Sequence, residues 1–321
     1  MGMADTVTKE YIRSNEVFAD AFNYLIYDGE QVVKPALLQE LDTTEIAIPF
    51  ALGENENQTE DVVQKYRDVL KSAVIMQDSR ASYILLGVEN QTEIHYAMPV
   101  RNIIYDALQY GKQVSEVAKR HKSKGDRKGH NKGEYLSGFY KEDRIRPVIT
   151  LVVHFGADEW DGPLSLYEMM DLEDKKLLEF VQDYRIFLID PYKLANNDLE
   201  KFSTSLGDVL GYIKYSKDKK ALSKFLNDNQ VMIMDNDAAR VIRDVTNTPI
   251  YVPDGKGEID MCKAVRDMID ESKQEGMAAG ELNKAKKMAL KMYKKGDSME
   301  EIAEMAEVSV DQVKEWINSA V

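Results

Sequence analysis

The chain carries one cysteine, Cys262, in 321 residues. A single thiol excludes an internal disulfide and any zinc centre built on cysteine, and it suits a reducing, cytoplasmic setting. Long apolar runs are missing too. The longest, Ile149 to Val153, contains Thr150 and falls far short of the roughly 20 residues that span a bilayer. No basic-then-apolar leader opens the sequence, so no membrane partner is expected. Positive charge is scarce as well: 42 Lys and Arg face 56 Asp and Glu, for a net charge of −14. That balance disfavours indiscriminate binding to nucleic acid, which works by neutralising phosphates.

What is present supports a folded core. Hydrophobic residues make up 44% of a chain long enough for one large domain or two moderate ones. Charge is unevenly spread. From 119 to 132, Lys119, Arg120, Lys122, Lys124, Arg127, Lys128 and Lys132 stand against Asp126 alone. Glycine and serine in this stretch predict a mobile basic loop.

Apolar residues at Val17, Phe18, Ala21, Phe22 and Leu25 predict a helix within 11–27, ended by Asp28-Gly29, with Asp20 beside the stripe. Val69 to Met76 and Tyr83 to Val88 are branched and apolar around Asp78-Ser79, which predicts a β-hairpin. A broad apolar face from Ala97 to Ala118, with Pro99 in its first turn, predicts a helix packed on the sheet. Pro147 to Phe155 reads as a buried strand and Arg185 to Ile189 as a shorter one. Beyond Leu194 the pattern is helical: 202–226, 238–245, and a charged helix over 260–292 interrupted at Gly276 and Gly280. Two short helices follow, Ser309 capping the second.

The candidate chemistry sits on the hairpin. Alternate strand residues share a face, so Glu89 and Gln91 point together, with Gly87 beside them. The hairpin brings Asp68 toward Glu89. Two carboxylates at one point are costly unless a cation joins them, and Mg²⁺ favours one or two carboxylates with water and phosphate oxygens. Gln91 can orient a water but cannot accept its proton. Solvated hairpin ends carry the same residue types, so spacing alone leaves both readings open. His95 and His154 show no zinc spacing.

A wider set of residues resembles a known family. Phe18 to Phe22, Tyr66-Arg67-Asp68-Val69-Leu70, Glu89-Asn90-Gln91, Met98, Arg101 and Tyr105, and Pro147 to Gly156 occur in its order and spacing. So do Ala285-Lys286-Lys287-Met288 through Lys295-Gly296, then Ile302-Ala303 and Val308-Ser309. Together they resemble the Rpn family of recombination-promoting nucleases and transposases, within the PD-(D/E)XK nuclease superfamily. The resemblance implies a metal-dependent DNA endonuclease linked to mobile elements, hydrolysing phosphodiester bonds with a metal-activated water. It makes Asp68 and Glu89 the ligands of Mg²⁺ or Mn²⁺, puts Gln91 in place of the superfamily lysine, and offers Asp20 as a third acid. Ala19 stands where the family often has lysine, so neither position supplies that group. DNA contacts are expected from Arg101, Tyr105, Lys119, Arg120, Lys122, Lys124, Arg127 and Lys128. The alternative is an inactive nuclease-fold scaffold working through protein contacts.

The expected fold is α/β: a restriction-endonuclease-like core with a central mixed sheet flanked by helices, then a helical region ending in a small helix-turn-helix-like tail. The expected divisions are 1–195, 196–281 and 282–321. Seven lysines balance seven acids in the tail, which favours protein contact, such as a homodimer through the C-terminal helices, over base reading.

Overall fold

The computed structural model describes residues 2–42, 44–47, 63–66, 68–77, 80–125, 131–172 and 174–319. The chain divides into two compact units, 1–248 with 252–259, and 249–251 with 260–321.

The first unit opens with two helices, α1 (Met3–Arg13) and α2 (Asn15–Tyr27), where one helix beginning near Tyr11 was expected. The break falls at Ser14, whose extended backbone ends α1 and whose hydroxyl accepts the Val17 N–H to cap α2. Asp28 and Gly29 end α2 with φ of 53° and 94°. Strands β1 (Gln39–Glu40), β2 (Thr44–Ala47), β3 (Val63–Tyr66), β4 (Val69–Gln77) and β5 (Arg80–Gln91) follow, then α3 (Met98–Lys124), α4 (Lys132–Ser137), β6 (Val148–His154) and β7 (Phe187–Ile189). A five-stranded mixed sheet runs in the order β1-β4-β5-β6-β7, and β2 pairs with β3 separately. The hairpin is the antiparallel β4–β5 pair. The β5–β6 and β6–β7 pairs are parallel, and α3 lies in the first crossover.

Alternation along the strands assigns the faces. Lys71 reaches the Arg13 carbonyl and the Asn15 side chain, and Asn90 donates to Thr8, so α1 and the start of α2 cover one face. Thr150 donates to Asp106 on α3, which covers the other. All of β6 except Ile149 is buried, as a strand covered on both faces must be.

The unit is completed by α5 (Asn196–Leu199), α6 (Leu206–Tyr215), α7 (Lys219–Asn229), β8 (Ile233–Asp235), α8 (Asn236–Thr246) and β9 (Glu258–Asp260), β9 pairing with β8. Residues 196–248 group with the sheet, where a boundary near 195 was expected, because α8 packs on α1 and α6 packs on both α2 and α8.

The second unit holds α9 (Met261–Lys295), α10 (Met299–Met305) and α11 (Val310–Asn318). The glycines do not interrupt α9: it runs 35 residues through Gly276 and Gly280, each costing only about 1 kcal/mol amid strong helix formers. Its C-terminal part joins α10 and α11 around Ala289, Ile302, Val313, Trp316 and Ile317. Ser298 and Glu301 form a capping box on α10, and Ser309 caps α11, as expected.

Candidate active site

The register of the hairpin fixes where the acids lie. Val69 pairs with Val88, so Asp68, one residue before β4, stands opposite Glu89. Asp68 Oδ2 accepts the backbone N–H of Asn90 at 3.0 Å, tying the head of β4 to the end of β5. Glu89 is completely buried. In register, Glu89 lies beside Val152 and Gln91 beside His154, on the face covered by α3.

Each acid meets a cation of the chain itself. Arg101, on the first turn of α3, puts Nη2 3.1 Å from Glu89 Oε2. Its Nε donates to the Tyr105 hydroxyl one turn on, at 3.2 Å, as the four-residue spacing on one helix face predicts. Burial works against the Arg101 charge, but Glu89, Tyr105 and Asp68 outweigh it and hold the guanidinium pKa above its ordinary value. Burial, reinforced by Glu89, raises the Tyr105 hydroxyl. On the other side, Lys9 Nζ from α1 lies 3.1 Å from Asp68 Oδ1. Thr8, next to it, receives the Asn90 amide at 2.6 Å and holds α1 against the end of β5. Sequence reasoning missed Lys9: a lysine on a polar first helix has no local signature, and only tertiary packing carries it to Asp68.

Arg101 and Tyr105 also line a cleft of ≈ 380 Å³ with His95, Ala97, Val100 and Ile104. Gln91 is half-buried, its amide donating to the Asn90 carbonyl. His154 holds the Asp158 carbonyl at 2.8 Å through Nε2 and meets the edge of Trp160. His95 Nδ1 accepts the Ala97 N–H.

Asp20 is elsewhere. It is 1% exposed, and its carboxylate accepts five hydrogen bonds, from the backbone N–H and hydroxyl of Ser203 and Thr204. It anchors the chain entering α6. The first part of the basic stretch is helical where a loop was expected. Lys119, Arg120, Lys122 and Lys124 lie on the last turns of α3, which continues to Lys124 because its good helix formers outweigh the local charge repulsion, and ends at Gly125 with φ 62°. Arg127 and Lys128 fall outside the described residues.

Residues 49–238 match a family model described as "Putative transposase, YhgA-like". The match covers well over half the chain, from before β3 into α8. No curated protein and no solved structure matches.

Proposed function

The chain belongs to the YhgA-like putative transposase family, and on that premise we propose that it is a metal-dependent DNA endonuclease of a mobile-element process, with Asp68 and Glu89 as its acids. The observation that carries this reading is the opposition of the two carboxylates across β4 and β5.

The donor set suits Mg²⁺ or Mn²⁺. Such ions take one or two carboxylates and leave positions for water and phosphate oxygens. Among the described residues no group of three or more His, Cys, Asp or Glu could hold a metal. The proposed site has two acids, Asp68 and Glu89, with water and phosphate oxygens completing the coordination. An ion held by Asp68 and Glu89 would supply Lewis-acid stabilisation of the charge that develops on the phosphate.

The surrounding residues have separable tasks. Lys9 brings a positive charge to Asp68, supplying the lysine that Ala19 and Gln91 do not. Arg101 offers the entering phosphate a planar fork from the wall of the cleft, with Tyr105 fixing its orientation. Gln91 orients a water without taking its proton.

One observation favours the alternative of an inactive scaffold: both carboxylates are already neutralised, by Lys9 and Arg101. Calorimetric titration with Mn²⁺ separates the two readings. The nuclease reading expects binding that Glu89→Gln abolishes. Absence of binding in the unaltered protein favours the scaffold.

A further inference from the structure

Beyond Tyr105, the same face of α3 continues through Gln109, Lys112, Gln113, Glu116 and Arg120, residues three or four apart. It forms one wall of a second cleft, of ≈ 500 Å³, whose lining also includes Leu70 and Leu85 of the hairpin and Arg144 and Arg146 ahead of β6. Among the described residues, Lys112, Arg120, Arg144 and Arg146 meet two carboxylates there, Asp42 and Glu116. In a chain with net charge −14 that balance is locally reversed.

The arginine-bearing wall is pinned to α3 at three levels. His121 Nε2 meets Asp143 Oδ2 at 2.8 Å. The Gln113 amide both accepts the Arg146 N–H at 2.7 Å and donates to the Arg146 carbonyl at 3.1 Å. The Tyr110 hydroxyl accepts the Val148 N–H at 3.1 Å. The segment that carries Arg144 and Arg146 is thus held in place before any ligand arrives, which lowers the ordering cost of binding.

The cleft adjoins the acids. Leu70 is two residues from Asp68 on the same strand face, about 7 Å at strand rise. From Arg101 to Arg120 the helix advances about 28 Å at 1.5 Å per residue, enough to follow several phosphates of one strand.

We propose that this cleft is a docking groove for the phosphodiester backbone that flanks the cleavage point, with Lys112, Arg120, Arg144 and Arg146 as its phosphate contacts. The placement beside a scissile phosphate rests on the nuclease reading; the binding chemistry does not. Among the described residues of the basic stretch picked out by sequence, Arg120 lines the groove, while Lys119, Lys122 and Lys124 do not.

The test is fluorescence anisotropy of a short labelled DNA duplex with the full chain in EDTA, over a salt series. Loss of two phosphate contacts in Lys112→Ala/Arg144→Ala lowers the slope of log affinity against log salt by about 1.8 and weakens binding roughly tenfold or more. Lys219→Ala, outside the groove, leaves both unchanged. A second pair, Lys112→Glu/Arg120→Glu, repeats the loss without touching Arg144, which also holds the Lys141 and Asp143 carbonyls; melting curves by circular dichroism check that both variants fold. An unchanged slope and affinity in the folded double variants overturn the groove, as does a wild-type chain that fails to bind duplex DNA. The nuclease reading fails separately: if the wild type leaves plasmid uncut with Mg²⁺ but the groove variants still lose binding, the cleavage site falls and the groove stands. If Asp68→Ala is inactive yet binds with the wild-type slope, both stand.

Discussion

Asp68 accepts the backbone N–H of Asn90 through one carboxylate oxygen and meets Lys9 through the other. The acid before β4 is therefore positioned by the neighbour of the acid on β5, and the helix at the start of the chain supplies its charge partner. Three segments distant in sequence converge on one carboxylate.

The pairing of Glu89 with Arg101 is a test of stability as well as of chemistry. Arg101→Met takes its ion pair away from a fully buried carboxylate and is expected to cost about 2–4 kcal/mol, below the fully buried limit because Arg101 is partly exposed. Glu89→Gln in the same chain recovers part of that cost. Urea unfolding of the two single variants and the double variant measures the coupling; strictly additive effects would contradict the pair.

On the nuclease reading, Lys9 is expected to act on chemistry more than on folding. Its ion pair with Asp68 is partly exposed, so Lys9→Met changes stability by less than about 1 kcal/mol. Loss of a charge beside the acids is expected to slow Mg²⁺-dependent nicking by about 10²-fold or more, as for removal of one group that stabilises a transition state. Lys9→Arg retains part of the activity. Equal nicking by Lys9→Met would remove the residue from the site.

Asp20 behaves in the opposite way. Its five hydrogen bonds to Ser203 and Thr204 make Asp20→Ala destabilising by about 2–4 kcal/mol. Nicking per folded molecule, measured well below the lowered melting temperature, stays at the wild-type rate.

Lys71 gives a pH signature. It is 1% exposed, and Nζ donates to the Arg13 carbonyl and to Asn15 Oδ1, each at 2.5 Å. Burial lowers its pKa below the ordinary 10.5, against the pull of Glu40. Above the lowered value the unfolded chain holds this proton more tightly than the folded one, so the Lys71 contribution to stability rises with pH up to about 10.5. Tyrosines whose pKa is raised, such as Tyr11, work the other way, so the readout is the difference between wild type and Lys71→Met. That difference should grow between neutral pH and about pH 10.

The hairpin and β6 were legible because branched, apolar runs bounded by turn residues write strands locally. The opposition of Asp68 and Glu89 followed from the hairpin register and the alternation of faces. Other features had no local signature. Most of α1 is polar, with Thr8, Tyr11 and Ile12 as its buried residues, too sparse a stripe to mark its first turns. Lys9 and Arg101 reach Asp68 and Glu89 only when α1 and α3 pack on the sheet. Arg144 and Arg146 lie in a short segment before Pro147, and nothing in their spacing indicates that Gln113 and His121 fasten that segment along α3. Asp20 looked catalytic because it sits near the family's first-helix motif, but its neighbours in space are Ser203 and Thr204, more than 180 residues away.

The most direct measurement is nicking of supercoiled plasmid by purified wild-type and Asp68→Ala protein, each with Mg²⁺ and with EDTA. Asp68→Ala forfeits one backbone hydrogen bond and a partly exposed ion pair, about 1 kcal/mol of stability, and remains folded. The expected result is nicking by the wild type in Mg²⁺ alone and none by the variant. Equal nicking by folded Asp68→Ala, or no nicking by the wild type under either condition, would contradict the assignment of Asp68 and Glu89 as the acids of a metal-dependent nuclease.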